Sequence, residues 1–258
     1  MIKKLNVITA AIIFLMGISF PANAETALLE PEDYAGMTFW VMSMACLAAT
    51  VFIFVERSSI ALSWRPALSV AGIVTGITFV NYLYIRGVWV NTKDLPIVYR
   101  YMEWIITMPL LMSTFYFLIA ATRRVSSIIF WKLFGGTIIM VYGGYAGEVG
   151  DIPAFFGFII WMVGWIYILY EVHSGDAGGI IARNSNRSLT AAFGTMRMIV
   201  TIGWAVYPLG YVFGPPLTAT IDSDTLNIIF NFADLINKIA FALVIWSVAI
   251  ANTSGSRR

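Results

Sequence analysis

The sequence predicts an all-α membrane protein, a seven-transmembrane-helix bundle with its N-terminus outside and its C-terminus cytoplasmic. Three observations carry that expectation. The 258-residue chain is 59% hydrophobic and only 12% charged, too apolar for an ordinary soluble domain. From residue 34 it divides into seven apolar stretches, near 34–55, 66–88, 96–121, 127–145, 152–172, 189–213 and 225–251. Each can cross a bilayer as a helix at ~1.5 Å per residue. The basic residues then fall unevenly between alternate connections. An external N-terminus leaves Arg57, Arg65, Arg123, Arg124, Lys132, Arg183, Arg187, Arg257 and Arg258 on the cytoplasmic side, against Arg86, Lys93 and Arg100 outside. Basic residues gather on the cytoplasmic side of membrane proteins, which supports that orientation.

Residues 1–24 read as a cleaved signal peptide. Lys3 and Lys4 form its basic end, residues 7–20 its apolar core, and Ala22-Asn23-Ala24 a small-residue cleavage site. Residues 25–258 are then one domain, placed in the inner (plasma) membrane of a bacterium with the lipid bilayer as its first partner. A net charge of +2 makes no case for nucleic acid. Cys46 is the single cysteine, so no intrachain disulfide framework exists. No phosphate-cradling glycine loop, metal-ligand cluster or nucleophile triad is present, and an enzyme is not expected.

Polar residues inside apolar stretches are costly in lipid and mark packing contacts or function. In the second stretch Asn81 reads as an interhelical hydrogen-bond contact. In the third, Arg100, Glu103, Thr107 and Thr114 recur at spacings of three, four and seven and share one helical face. Glu148, near the outer end of the fourth, is placed to reach water. His173 and Arg197 belong at the inner surface, the first solvated and the second snorkelling. Pro109 and Pro208 are candidate kinks. Gly72/Gly76, Gly143/Gly147 and Gly210/Gly214 fit close helix packing.

The seventh stretch organises the rest. Lys238 lies near its middle, and Asp234 sits four residues earlier on the same face. A structural ion pair explains that arrangement. So does an amine that does chemistry, most plausibly a Schiff base with a carbonyl compound. Glu103, Asp234, Arg100 and Lys238 sum to zero charge, which low dielectric favours over any isolated member.

Arg100-Tyr101-Met102-Glu103-Trp104-Ile105-Ile106-Thr107-Met108-Pro109-Leu110-Leu111, Gly203-Trp204-Ala205-Val206-Tyr207-Pro208 and Asp234-Leu235-Ile236-Asn237-Lys238 follow one another in the order seen in the microbial rhodopsins. Within that family the chain resembles the proteorhodopsins. The resemblance implies all-trans retinal bound covalently to Lys238 as a protonated Schiff base, with Glu103 and Asp234 as counterions and Arg100 beneath them. It further implies that Trp104 and Trp204 sandwich the polyene and that Trp165, Tyr207 and Pro208 complete the pocket. Leu111 stands where the family tunes colour and implies green absorption. Phe158 stands where antenna-carrying relatives have glycine, so no carotenoid is expected there.

The implied function is a light-driven outward proton pump, expected as a homo-oligomer. Three departures from the family pattern accompany it: Glu103 for the usual aspartate acceptor, Asn81 for a histidine, and Thr114 for the internal carboxylate donor. Thr114 implies a slow photocycle. The alternative is a photosensory rhodopsin that signals through a transducer the sequence does not identify. A chloride or sodium pump fits less well, because Glu103, Thr107 and Thr114 match neither pattern. Trp161 is bulky for a place near the retinal ring.

Overall fold

Many large apolar side chains face outward from these helices, as expected where lipid rather than water is the outer solvent. The computed structural model describes residues 30–255. Residues 1–24, expected from the sequence to be a signal peptide, lie outside those residues. Among the described residues seven helices are long and apolar enough to span: α1 (Tyr34–Arg57), α2 (Leu62–Thr92), α3 (Ile97–Ala120), α4 (Ile128–Glu148), α5 (Ala154–Ala182), α6 (Arg187–Phe213) and α7 (Ser223–Thr253). Each coincides with an expected stretch, and α5 runs ten residues beyond the expected limit after a break at Ser174 and Gly175. Chain neighbours pack against each other, and α7 returns to α1 and α2 to close the ring. Arg57, Arg65, Arg123, Arg124, Lys132, Arg183 and Arg187 all gather at the end of the bundle where α1 finishes.

Glycines let α4 and α5 approach closely. A Cβ on Gly143 would collide with Ile160, and one on Gly147 with the Cα of Gly157 and the hydroxyl of Tyr211. Gly72 meets Phe54, and Gly210 meets Phe230, in the same way. Of the expected pairs, Gly143 and Gly147 both mark a tight helix contact, whereas Gly76 meets Thr50 only at an ordinary 3.5 Å.

Helix α6 is irregular for a definite reason. Pro208 has no N–H to give the Trp204 carbonyl four residues earlier. The Tyr207 N–H bonds that carbonyl instead, at 3.1 Å. Just before this turn, Ile199–Gly203 winds as a π-helix, and Leu235–Ala240 of α7 does the same around Lys238. π turns of this kind concentrate at functional sites. Asn237 joins the two, its Nδ2 donating to the Gly203 carbonyl at 3.0 Å. A side chain on Gly203 would occupy the place of Asn237 Oδ1.

At the opposite end from the arginines, Asp33 caps α1 by accepting from the Gly36 N–H at 2.7 Å. The same carboxylate takes 2.6 Å and 3.0 Å hydrogen bonds from Lys93 and Trp89 at the end of α2. Burial alone pushes the Asp33 carboxyl up, but the donors from Lys93, Gly36 and Trp89 outweigh it and hold it below the usual aspartate value. A lowered carboxyl stabilises the fold above the ordinary aspartate range and loses that contribution as acid protonates it. Replacing Asp33 by Ala should cost about 1 kcal/mol at neutral pH, the worth of a helix cap. Thermal melts in detergent should show the gap between wild type and Asp33→Ala closing as pH falls below that range.

Candidate functional site

The centre of the bundle holds one cation between two acids. Lys238 Nζ donates to Glu103 Oε1 and Oε2 at 2.8 and 2.7 Å and to Asp234 Oδ2 at 3.0 Å. Lys238, Glu103 and Asp234 are 1%, 3% and 0% exposed, so each charge depends on the others rather than on water. Its three N–H bonds are therefore all used. The carboxylates have separate supports. Tyr82 and Tyr207 donate to Asp234 at 2.6 and 2.5 Å, while Thr78 donates to Glu103 Oε1 at 2.7 Å.

Arg100 is fully buried but does not touch either acid. Its Nη1 donates to the Tyr82 hydroxyl at 3.1 Å, and its Nη2 to Asn227 and Asn231 at 2.8 and 2.7 Å. Phe39, Tyr82 and Phe230 surround the guanidinium with their rings 5.3 to 5.6 Å away. The four-charge neutral cluster expected from sequence is thus three charges in contact, with the fourth coupled through a tyrosine hydroxyl.

The remaining expected site residues divide clearly. Trp104, Trp204, Tyr207 and Leu111 are each no more than 2% exposed, and Pro208 is buried beside Tyr207. Trp104 packs 4.9 Å from the Tyr207 ring, and its Nε1 is buried without a hydrogen-bond partner. Trp165 is half-buried and donates to the Val200 carbonyl at 3.1 Å. Thr107 and Thr114 are buried but spend their hydroxyls on their own helix, donating to the carbonyls of Glu103 and Leu111 at 3.0 and 2.6 Å. Asn81 departs from expectation: its Nδ2 is buried with no partner. Thr78, one turn earlier on the same helix, reaches Glu103 instead. Glu148 does not simply reach water; it is half-buried and lines a small cavity with Tyr101, Trp104, Trp161 and Tyr211. Phe158 is half-buried with its ring 6.0 Å from that of Tyr211. His173 is exposed, as expected, and lies 3.1 Å from the Thr201 hydroxyl.

Among the described residues a model of the family termed bacteriorhodopsin-like protein matches 33–252. The chain belongs to the bacteriorhodopsin-like family. It is 41% identical to the blue-light absorbing proteorhodopsin of Gamma-proteobacterium Hot 75m4, over 88% of this chain and 91% of the relative. It is 42% identical to the green-light absorbing proteorhodopsin of Gamma-proteobacterium EBAC31A08, with the same coverage. The crystal structure of the blue light-absorbing proteorhodopsin from Med12 superposes with a TM-score of 0.73 at 42% identity, covering 85% of this chain and 99% of that one.

Sequence reasoning missed several supports of this bacteriorhodopsin-like site, among them Thr78, Tyr82, Asn227, Asn231 and Asn237. A signal existed for two of the asparagines: Asn227, Asn231, Asp234 and Lys238 recur at spacings of four, three and four, one face of a helix. It also left open what makes room for Trp161. Gly144 does, since any Cβ there would enter the indole ring. Trp161 is 3% exposed and meets Tyr101 and Trp104 edge-on at 5.6 and 6.1 Å. Gly144→Ala should therefore destabilise the protein by about 1–3 kcal/mol, the usual cost of overpacking. Adding Trp161→Phe should recover part of the lost melting temperature.

Proposed function

We propose that the protein is a light-driven outward proton pump, a transporter rather than an enzyme, that carries all-trans retinal on Lys238. The observation that supports it most is the Lys238 ammonium clamped by Glu103 and Asp234 in a chain of the bacteriorhodopsin-like family. The residues present fit that chromophore. Lys238 presents a primary amine on an apolar stem, and two carboxylates balance a cation on its nitrogen. Trp104, Trp204, Trp161, Tyr207 and Leu111 offer an apolar, aromatic wall, with the Trp104 N–H left unpaired. When bound, retinal supplies light absorption and a cationic, proton-bearing link to the Lys238 nitrogen.

The clustering of arginines where α1 ends supports a cytoplasmic position for that end, with Asp33 outside. Glu103 is the acceptor of the proton held at the Lys238 nitrogen. Asp234 takes hydrogen bonds from Tyr82, Tyr207 and Lys238, whereas Glu103 takes them from Thr78 and Lys238. Glu103 accepts two of the three Lys238 N–H bonds, at 2.8 and 2.7 Å, and so stands nearest the proton it takes. Arg100 lies next toward the outside, where its charge favours release of that proton from Glu103.

On the cytoplasmic side Thr114 cannot supply a proton near neutral pH, and its hydroxyl is turned back to Leu111. Phe115 packs against Phe193 and Phe241 with ring centroids at 4.7 and 5.9 Å. The Lys238 nitrogen is then resupplied from water through a tightly packed apolar region, which is slow. Slow turnover also favours a second reading, a photosensory protein acting through a partner.

One measurement separates the two. Illuminated cells in unbuffered medium should acidify it, and an uncoupler should abolish the change; a normal photocycle without acidification selects the sensor. Lys238→Ala should give no visible pigment with added retinal. Glu103→Gln should red-shift the absorption band and reduce outward pumping to background. In flash spectroscopy the last photocycle phase should slow as pH rises, because water rather than Thr114 supplies the proton.

A further inference from the structure

Glu103 belongs to α3, but its carboxylate is anchored to another helix. Thr78 of α2 is fully buried and donates to Glu103 Oε1 at 2.7 Å. Along the same face of α2, Tyr82 donates to Asp234 at 2.6 Å. The two acids are therefore fixed by one rigid element, one turn apart. Asn81 lies between them in sequence and contributes no bond through its Nδ2.

We propose that Thr78 is the positioning residue of the proton acceptor: it fixes the Glu103 carboxylate and sets the pH at which that acid protonates. The inference rests on the acceptor role proposed above for Glu103. Oε1 accepts from both Thr78 and Lys238, whereas Oε2 accepts from Lys238 at 2.7 Å. When the Lys238 nitrogen loses its proton to the acid, Thr78 still occupies Oε1. The O–H bond therefore forms at Oε2, and the carboxyl stays turned toward α2. A glutamate suits this anchor, because an aspartate would stop about 1.5 Å, one C–C bond, short of it.

The other charged or titratable groups facing Glu103 are Lys238 and Asp234 from α7, Arg100 from α3 and Cys46 from α1. Tyr82 from α2 and Tyr207 from α6 act on it through Asp234. All of these are retained when only position 78 is changed. Thr78→Val keeps the shape and removes the donor, and Thr78→Ser keeps the donor. A hydrogen bond to a charged group stabilises that charged form, and its loss moves protonation upward by about one to two pH units.

The test titrates the visible band of the retinal-reconstituted full chain for wild type, Thr78→Val and Thr78→Ser. Thr78→Val should move the midpoint of the acid colour change up by about one pH unit or more, and Thr78→Ser should stay close to wild type. An unmoved Thr78→Val, or a Thr78→Ser displaced as far as Thr78→Val, overturns the proposal. The same comparison is made without chromophore, on the infrared carboxyl band that disappears in Glu103→Gln. A wild type that forms no pigment while this band shifts in Thr78→Val overturns the pump reading and sustains the role of Thr78.

Discussion

A lysine ammonium in the middle of a lipid-spanning bundle is tolerable only with its counter-charge in direct contact. Water is absent from lipid, and removing an ion from water costs several kcal/mol even after relaxation. Lys238 meets that constraint with three short hydrogen bonds to Glu103 and Asp234. The acids then bring a surplus negative charge. Arg100 answers it from one helical turn away on α3, through the Tyr82 hydroxyl rather than by contact. The polar side chains of Thr78, Tyr207, Asn227, Asn231 and Asn237 each bond a member of this group or one of its supports.

The arrangement is asymmetric along the membrane normal. Toward Asp33 lie an arginine, two asparagines and a tyrosine, a chain of groups that exchange hydrogen bonds. Toward Arg57 the centre is closed by Phe115, Phe193, Phe241 and Ile245, all fully buried. In the proposed pump, a proton leaving the site meets a polar route on one side and an apolar plug on the other. The outward direction proposed for transport agrees with this packing.

Much of this was legible in the sequence. Hydropathy is a property of whole segments, so the seven spans could be placed to within a few residues, apart from the ten-residue extension of α5. Lys238, Asp234 and Glu103 stood out because a charge among twenty apolar neighbours has few explanations. What escaped were contacts between helices. Nothing in the local pattern shows that Thr78 of α2 faces Glu103 of α3, or that Gly144 vacates space for Trp161, because helix rotation and register are set by packing across the bundle. Asn81 drew attention by its polarity, and Thr78, of a residue type common in membrane helices and often bonded to its own backbone, did not. The wide turns in α6 and α7 were likewise unreadable: Pro208 announces a disturbance, but not its form.

Those wide turns leave the two helices with slack. A π segment holds one residue more than the α-helical path it replaces. Regularising residues 199–203 would rotate the rest of α6 by about 100° and slide it ~1.5 Å along its axis. Tyr207 would then swing away from Asp234, and Gly203 would part from Asn237. The alignment of α6 with α7 thus depends on a stored offset, and removing a single residue from that turn would rephase every side chain that follows it.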